Sequence, residues 1–332
     1  RGYGHGLDGR KSYSVVMNIF LLLVGLVLIL AGANFLTDGA AALAQRFRVP
    51  EFIVGLTVVA IGTSMPELVV SVLSSAAHNS DVAVGNIVGS NLFNVFVILG
   101  ICALIRPLAL SESNIRRDIP VGFGASLLFF VFASDKLLHL GTVDRIGRVE
   151  GVVMLLLYVA FLWYSVRAAG RQGAPKTTAA KPPKPWWLTL GLIVVGLAGL
   201  VYGGDLFLHH ATVIARKLGV SESVIAITLV AGGTSLPELA SSVVSLAKGK
   251  AGLALGNVLG SNVANLLLIL GVSATIHPLT MGGITTLDVA MVVLSSLLLF
   301  VAAFTFRRKA VDRWEGAIFV AIYVAYIWYL VR

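Results

Sequence analysis

Two carboxylates stand in matching polar interruptions of apolar sequence: Gly62-Thr63-Ser64-Met65-Pro66-Glu67 and Gly233-Thr234-Ser235-Leu236-Pro237-Glu238. An acid in a membrane helix is costly and is read first as a functional group. Downstream of each lie a second hydroxyl and an amide at i, i+4: Ser90 with Asn94, and Ser261 with Asn265. Every candidate donor is a hard oxygen, which disfavours zinc and copper. Calcium accepts six to eight such oxygens in flexible geometry, whereas magnesium demands a tight octahedron and retains water. Two carboxylates neutralise one divalent ion, and an empty chamber with two acids should take up monovalent ions or protons instead. That competition is a physical basis for exchange.

Backbone chemistry points the same way. Pro66 cannot donate its amide, and its ring clashes with the carbonyl four residues back. Gly62 offers no side chain to resist unwinding, so carbonyls near Ala60 to Gly62, and near Ala231, are expected to lose helical partners. Such groups must then meet protein, water or an ion. Thr63, Ser64 and Glu67, like Thr234, Ser235 and Glu238, share a helical face by their three- and four-residue spacings. The two copies are offset by 171 residues, and the same offset relates Gly85-Asn86-Ile87-Val88-Gly89-Ser90-Asn91 to Gly256-Asn257-Val258-Leu259-Gly260-Ser261-Asn262. Duplicated, Gly/Pro-interrupted hydrophobic segments at matching places point to a transporter binding site.

The elements carrying these residues are membrane helices. The chain is 57% hydrophobic and 12% charged, with mean hydropathy +0.92, whereas soluble domains carry about 25% charged residues. A span needs roughly 20 apolar residues. Ten are expected, at about 17–44, 51–77, 82–105, 118–138, 148–168, 187–215, 222–247, 253–276, 285–306 and 313–331. The predicted fold class is an all-α polytopic membrane protein, its ten helices forming two inverted five-helix repeats, 17–168 and 187–332. An odd number of spans per half forces the second half to enter from the opposite face. The Pro- and Lys-bearing segment 169–186 reads as a linker, and residues 1–16 as a disordered leader or an appended remnant. Residues 10–33 also have the pattern of a secretory signal, but the offset pairs Asn34 with Asp205 and so keeps this segment within the repeat.

With both termini outside, 16 of the 25 Lys and Arg residues fall on the cytoplasmic side, together with the linker. This agrees with the positive-inside rule. The net charge of +9 is therefore topological, and no nucleic-acid partner is expected. Cys102 is the only cysteine, so no intrachain disulfide is possible.

The paired Gly-Thr-Ser-x-Pro-Glu and Gly-Asn-x-x-Gly-Ser-Asn segments resemble the α-repeats of the calcium/cation antiporter superfamily, in its sodium/calcium exchanger branch of prokaryotic type. The resemblance covers the whole membrane region. It implies that ions are held by Thr63, Ser64, Glu67, Ser90, Asn94 and the Ala60 carbonyl, with Thr234, Ser235, Glu238, Ser261, Asn265 and the Ala231 carbonyl as counterparts. It further implies secondary active antiport of sodium and calcium by alternating access, the first and sixth helices sliding over the rest. Many relatives carry aspartate where this chain has Asn265, which weakens the case for potassium co-transport. The proton-coupled branch has an acid where Ser90 and Ser261 stand, which favours sodium as counter-ion over proton/calcium exchange. No enzymatic activity, cofactor or obligate protein partner is expected; the partners are the bilayer of a cell (inner or plasma) membrane and the transported ions.

A remote alternative is an intramembrane aspartyl hydrolase built on Gly203-Gly204-Asp205, which would need a second facing acid. His209 and His210 are adjacent and point in different directions on a helix. Asn91 and Asn262 are expected to join helices or satisfy carbonyls, and Thr57 and Thr228 to pack.

Overall fold

The structure, a computed structural model, describes residues 5–139, 141–171, 184–219, 231–305 and 309–331. The opening of the seventh expected span, most of the linker and the pair Arg307–Arg308 lie outside these residues, as does the side chain of Ala231. The helices, in chain order, are α1 (His5–Phe47), α2 (Glu51–Thr63), α3 (Met65–Ala76), α4 (Ser80–Ile105), α5 (Ile119–Phe132), α6 (Arg148–Arg171) and α7 (Trp186–Lys217). They continue with α8 (Ala231–Gly233), α9 (Leu236–Ala247), α10 (Ala251–Ile276), α11 (Thr286–Ala302) and α12 (Arg313–Val331). Helical backbone begins at His5 and takes in most of the leader expected to be disordered. No proline lies between His5 and Phe47 to stop the hydrogen-bond ladder of the apolar span from extending toward the N-terminus.

Among the described residues, six helices are long and apolar enough to cross a bilayer singly, and α2 with α3 makes a seventh when joined across their 47° bend. The helices thus do not match the expected spans one for one, because proline divides some of them. Ser64, at φ −81° and ψ 11°, breaks the helix immediately before Met65-Pro66, and Ser235, at φ −89° and ψ 9°, does the same before Leu236-Pro237. Pro at a second helical position has no partner to lose and a φ already set for the helix, so each proline ends one helix and starts the next.

Two central helices anchor the molecule: the apolar windows of α10 and α4 are 94% and 72% buried, against 28% for α1 and α7. Each central helix loosens into a π-turn, at Phe93–Leu99 and Ala264–Ile269, positions related by the 171-residue offset. Such turns are frequent at functional sites. Around this centre, α1 and α7 pair along their length. A Cβ added at Gly32 would lie 2.7 Å from the Gly196 carbonyl oxygen, and one at Gly203 would lie 2.8 Å from the Ile29 amide. Glycines let these backbones touch, which is how helices associate where lipid competes for apolar side chains.

Among the described residues, two short antiparallel ladders supplement the helices. Strand β1 (Leu108–Ala109) pairs with β4 (Ala310–Val311), and β2 (Arg145–Ile146) with β3 (Leu279–Thr280). Each clips together loop ends from different halves, satisfying backbone groups that have left a helix.

Candidate ion-binding site

The broken helices bring the two acids together through crossed hydrogen bonds. Neither Ser64 nor Ser235 caps the helix it precedes, so both hydroxyls are available elsewhere. Ser64 Oγ donates to Glu238 Oε1 at 2.8 Å, and Ser235 Oγ donates to Glu67 Oε1 at 3.0 Å. Each acid is thus held by the break in the opposite half. Ser90 Oγ also donates to Glu67 Oε1, at 3.2 Å. Both carboxylates are only 1% exposed. Among the described residues, no ion pair includes either of them.

Much of the site's hydrogen-bonding capacity is unspent. Glu67 Oε2, Glu238 Oε2, Asn94 Oδ1, Ser261 Oγ and both amide atoms of Asn265 are buried without a partner. Ser261 faces Glu238 but lies outside hydrogen-bond geometry. A buried acceptor without a donor costs about 1–3 kcal/mol. Buried carboxylate, amide and hydroxyl oxygens left without donors are of the kind a desolvated cation satisfies. Among the described residues, no three His, Cys, Asp or Glu side chains cluster as a metal site; charge comes from the two glutamates and the remaining donors are neutral.

The expected residues fall into two sets. Glu67, Glu238, Ser64, Ser235 and Ser90 meet directly, and Asn94, Ser261 and Asn265 are buried with them. Thr63 and Thr234 are instead engaged with asparagines: Thr63 Oγ1 donates to Asn257 Oδ1 at 3.1 Å, and Thr234 Oγ1 to Asn86 Oδ1 at 3.4 Å. Thr63, like Ser261, also faces Glu238 without forming a hydrogen bond to it. The Ala60 carbonyl is not freed as expected. It accepts from the Ser64 amide at 3.0 Å, because the break falls after Ser64 and the preceding turn survives. Ala231 lies in helical backbone, of which Ala231–Gly233 is the described part. Thr57 donates to its own helix at Ile53. Asn91 satisfies the Ile87 carbonyl, while Asn262 Oδ1 accepts from Asn94 Nδ2 at 3.0 Å and joins α10 to α4.

Asn86 and Asn257 are the residues that reading for ligands overlooks. Asn86 Nδ2 donates to the Glu67 carbonyl at 3.2 Å and to Ser71 Oγ at 3.0 Å. Asn257 Nδ2 repeats this with the Glu238 carbonyl at 3.3 Å and Ser242 Oγ at 3.0 Å. Each asparagine braces one acid-bearing helix and accepts the threonine of the other half. The signal is present in the sequence, since Asn86, Asn257, Ser71 and Ser242 all obey the offset. Asn86→Ala or Asn257→Ala removes two bonds to the acid-bearing helix and the acceptor of the other half's threonine, so thermal unfolding in detergent should show a loss of about 1–3 kcal/mol. A loss below about 0.5 kcal/mol, the range of an inert surface change, would count against the bracing role.

Asp205 is exposed on α7 rather than buried against a second acid, which removes the basis of the hydrolase reading. His210 Nδ1 hydrogen-bonds Asn18 Oδ1 at 2.7 Å and joins α7 to α1.

The fold defines a polytopic membrane protein whose two halves meet at a pair of buried glutamates. Known proteins agree. The sodium/calcium exchanger protein family model matches residues 17–167 and 188–332, and the chain belongs to that family, within the prokaryotic branch of the calcium/cation antiporter superfamily. It is 30% identical to sodium/calcium exchanger MaX1 of Methanosarcina acetivorans, over 94% of this chain and 98% of that protein. It is also 36% identical to inner membrane protein YrbG of Escherichia coli, over 78% of this chain and 79% of that one. A solved structure of the sodium-calcium exchanger NCX_Mj superposes with a TM-score of 0.81 at 32% identity, covering 95% of this chain and 99% of that one.

Proposed function

We propose that this protein exchanges sodium for calcium across a cell membrane by alternating access. Ions bind at the midplane to Glu67, Glu238, Ser64, Ser235, Ser90, Asn94, Ser261 and Asn265, assisted by Thr63, Thr234 and the carbonyls of Ala60 and Ala231. Ten spans form two inverted repeats, 17–168 and 187–332, with both termini outside and the 169–186 linker in the cytoplasm. One observation carries the reading: two buried glutamates, each held by a serine of the opposite half, lack any basic partner among the described residues. Such a pair is tolerable only when cations or protons neutralise it, and charge balance is met by one calcium or by monovalent ions. Coupling follows, because emptying the chamber of one species invites the other. The neutral Ser90 and Ser261 support sodium rather than protons as the counter-ion, and neutral Asn265 supports independence from potassium. The glycine-lined pair α1 and α7 is suited to move as a unit over the buried centre.

The test is radiolabelled calcium uptake into proteoliposomes under separate sodium, potassium and proton gradients. Uptake should follow an outward sodium gradient alone. Uptake driven by a pH gradient in sodium-free medium would replace sodium with protons, and flux without any counter-ion would make the protein a channel.

A further inference from the structure

The two halves part company where the repeat leads one to expect likeness. Helix α1 lies along α9, whereas α7 makes no comparable run against α3, the counterpart of α9. Where α1 and α9 meet, Thr37 Oγ1 and Ser245 Oγ are 2.9 Å apart. Thr37 also hydrogen-bonds the Ala33 carbonyl at 2.7 Å, which leaves Ser245 as donor between the two hydroxyls. One residue further along α1, Asp38 Oδ1 pairs with Lys248 Nζ at 2.6 Å, and the same ammonium donates to the Asn34 carbonyl at 3.1 Å.

None of this can form on the other side. At the 171-residue offset, Thr37 and Asp38 correspond to Leu208 and His209, and Ser245 and Lys248 to Ser74 and Ala77. Leu208 has no polar atom and Ala77 no charge, and the burial of Ser245 is not reproduced at Ser74, which is partly exposed. The seam also covers something. From Glu238, the buried hydroxyls of Ser242 and Ser245 run along α9 toward Lys248, a polar stripe from the chamber to the surface on the linker side. Helix α1 lies over its far end.

We infer that Thr37, Asp38, Ser245 and Lys248 form a one-sided latch that closes the linker-side ion path and must open once in each transport cycle. These are positioning residues and touch no ion. The inference rests on the alternating-access reading given above. The latch suits a reversible gate, because a partly solvated ion pair contributes little by itself and can yield to the redistribution of charge when the chamber changes occupant.

Thr37→Cys with Ser245→Cys, in a Cys102→Ala background, places two thiols where hydroxyls now meet. In proteoliposomes, oxidation should join them and abolish sodium-driven calcium uptake, with dithiothreitol restoring it. The oxidised protein should still gain thermal stability from calcium. Uptake undiminished by a disulfide verified by mass, or failure of the disulfide to form in calcium-free membranes, would overturn the latch. If the unaltered protein does not exchange, the antiport reading fails, and the following measurement, which needs no flux, decides the latch. Ser245→Cys alone should react slowly with a maleimide from the linker side, and several-fold faster when Lys248→Met is added; equal rates would dismiss it.

Discussion

Glu67→Gln and Glu238→Gln should each lower sodium-driven calcium uptake by up to about 100-fold, since losing a charge-assisted contact costs up to about 3 kcal/mol and each factor of ten is about 1.4 kcal/mol. Glutamine has nearly the shape of glutamate, so the chamber survives. What disappears is half of the negative charge available to a divalent ion. A second signature separates this from misfolding. With calcium absent, the variants should unfold at or above the temperature of the unaltered protein, because two buried like charges repel without a cation. With calcium present, the stabilisation that ligand binding confers should vanish. Uptake within about twofold of the unaltered protein in both variants, a difference of only about 0.4 kcal/mol by the same relation, would remove the acids from the mechanism.

The second large effect concerns the helix pair that flanks the chamber. A Cβ at Gly196 would fall 2.5 Å from the Leu36 amide nitrogen and 2.8 Å from its Cα. These are backbone atoms and cannot swing aside. Gly196→Val should therefore force α1 from α7, at an overpacking cost of about 1–3 kcal/mol or more, with a lower unfolding temperature and little or no exchange. Gly191, on the same helix, has nothing within 4 Å of an added Cβ, so Gly191→Val serves as the control. Equal stability and transport in the two variants would mean that close approach of α1 and α7 is not needed.

The chemistry of the site is legible in the order of residues because it is local and doubled. Proline at positions 66 and 237 ends a helix through its own covalent geometry, so the breaks follow from the residue type. The offset then identifies both acids and their neighbouring hydroxyls. Counting helices is harder for the same reason: the prolines that create the site divide the hydrophobic runs that reveal spans. The Ala60 carbonyl shows a finer limit. Proline predicts a break, but whether the turn before Ser64 keeps its hydrogen bond depends on the backbone angles adopted there.

From its sequence alone, this protein is a duplicated membrane chain with one acid, a broken helix and a set of neutral oxygens in each half. Those properties depend on apolar composition and on bonding within a few residues, which spacing records directly. Only the tertiary structure decided that each serine serves the acid of the other half, that Asn86 and Asn257 brace the helices, and that α1 grips α9 on one side alone. These are meetings of groups far apart in the chain. They depend on how closely glycine-lined helices approach, and similar local sequences in the two halves pack against different neighbours.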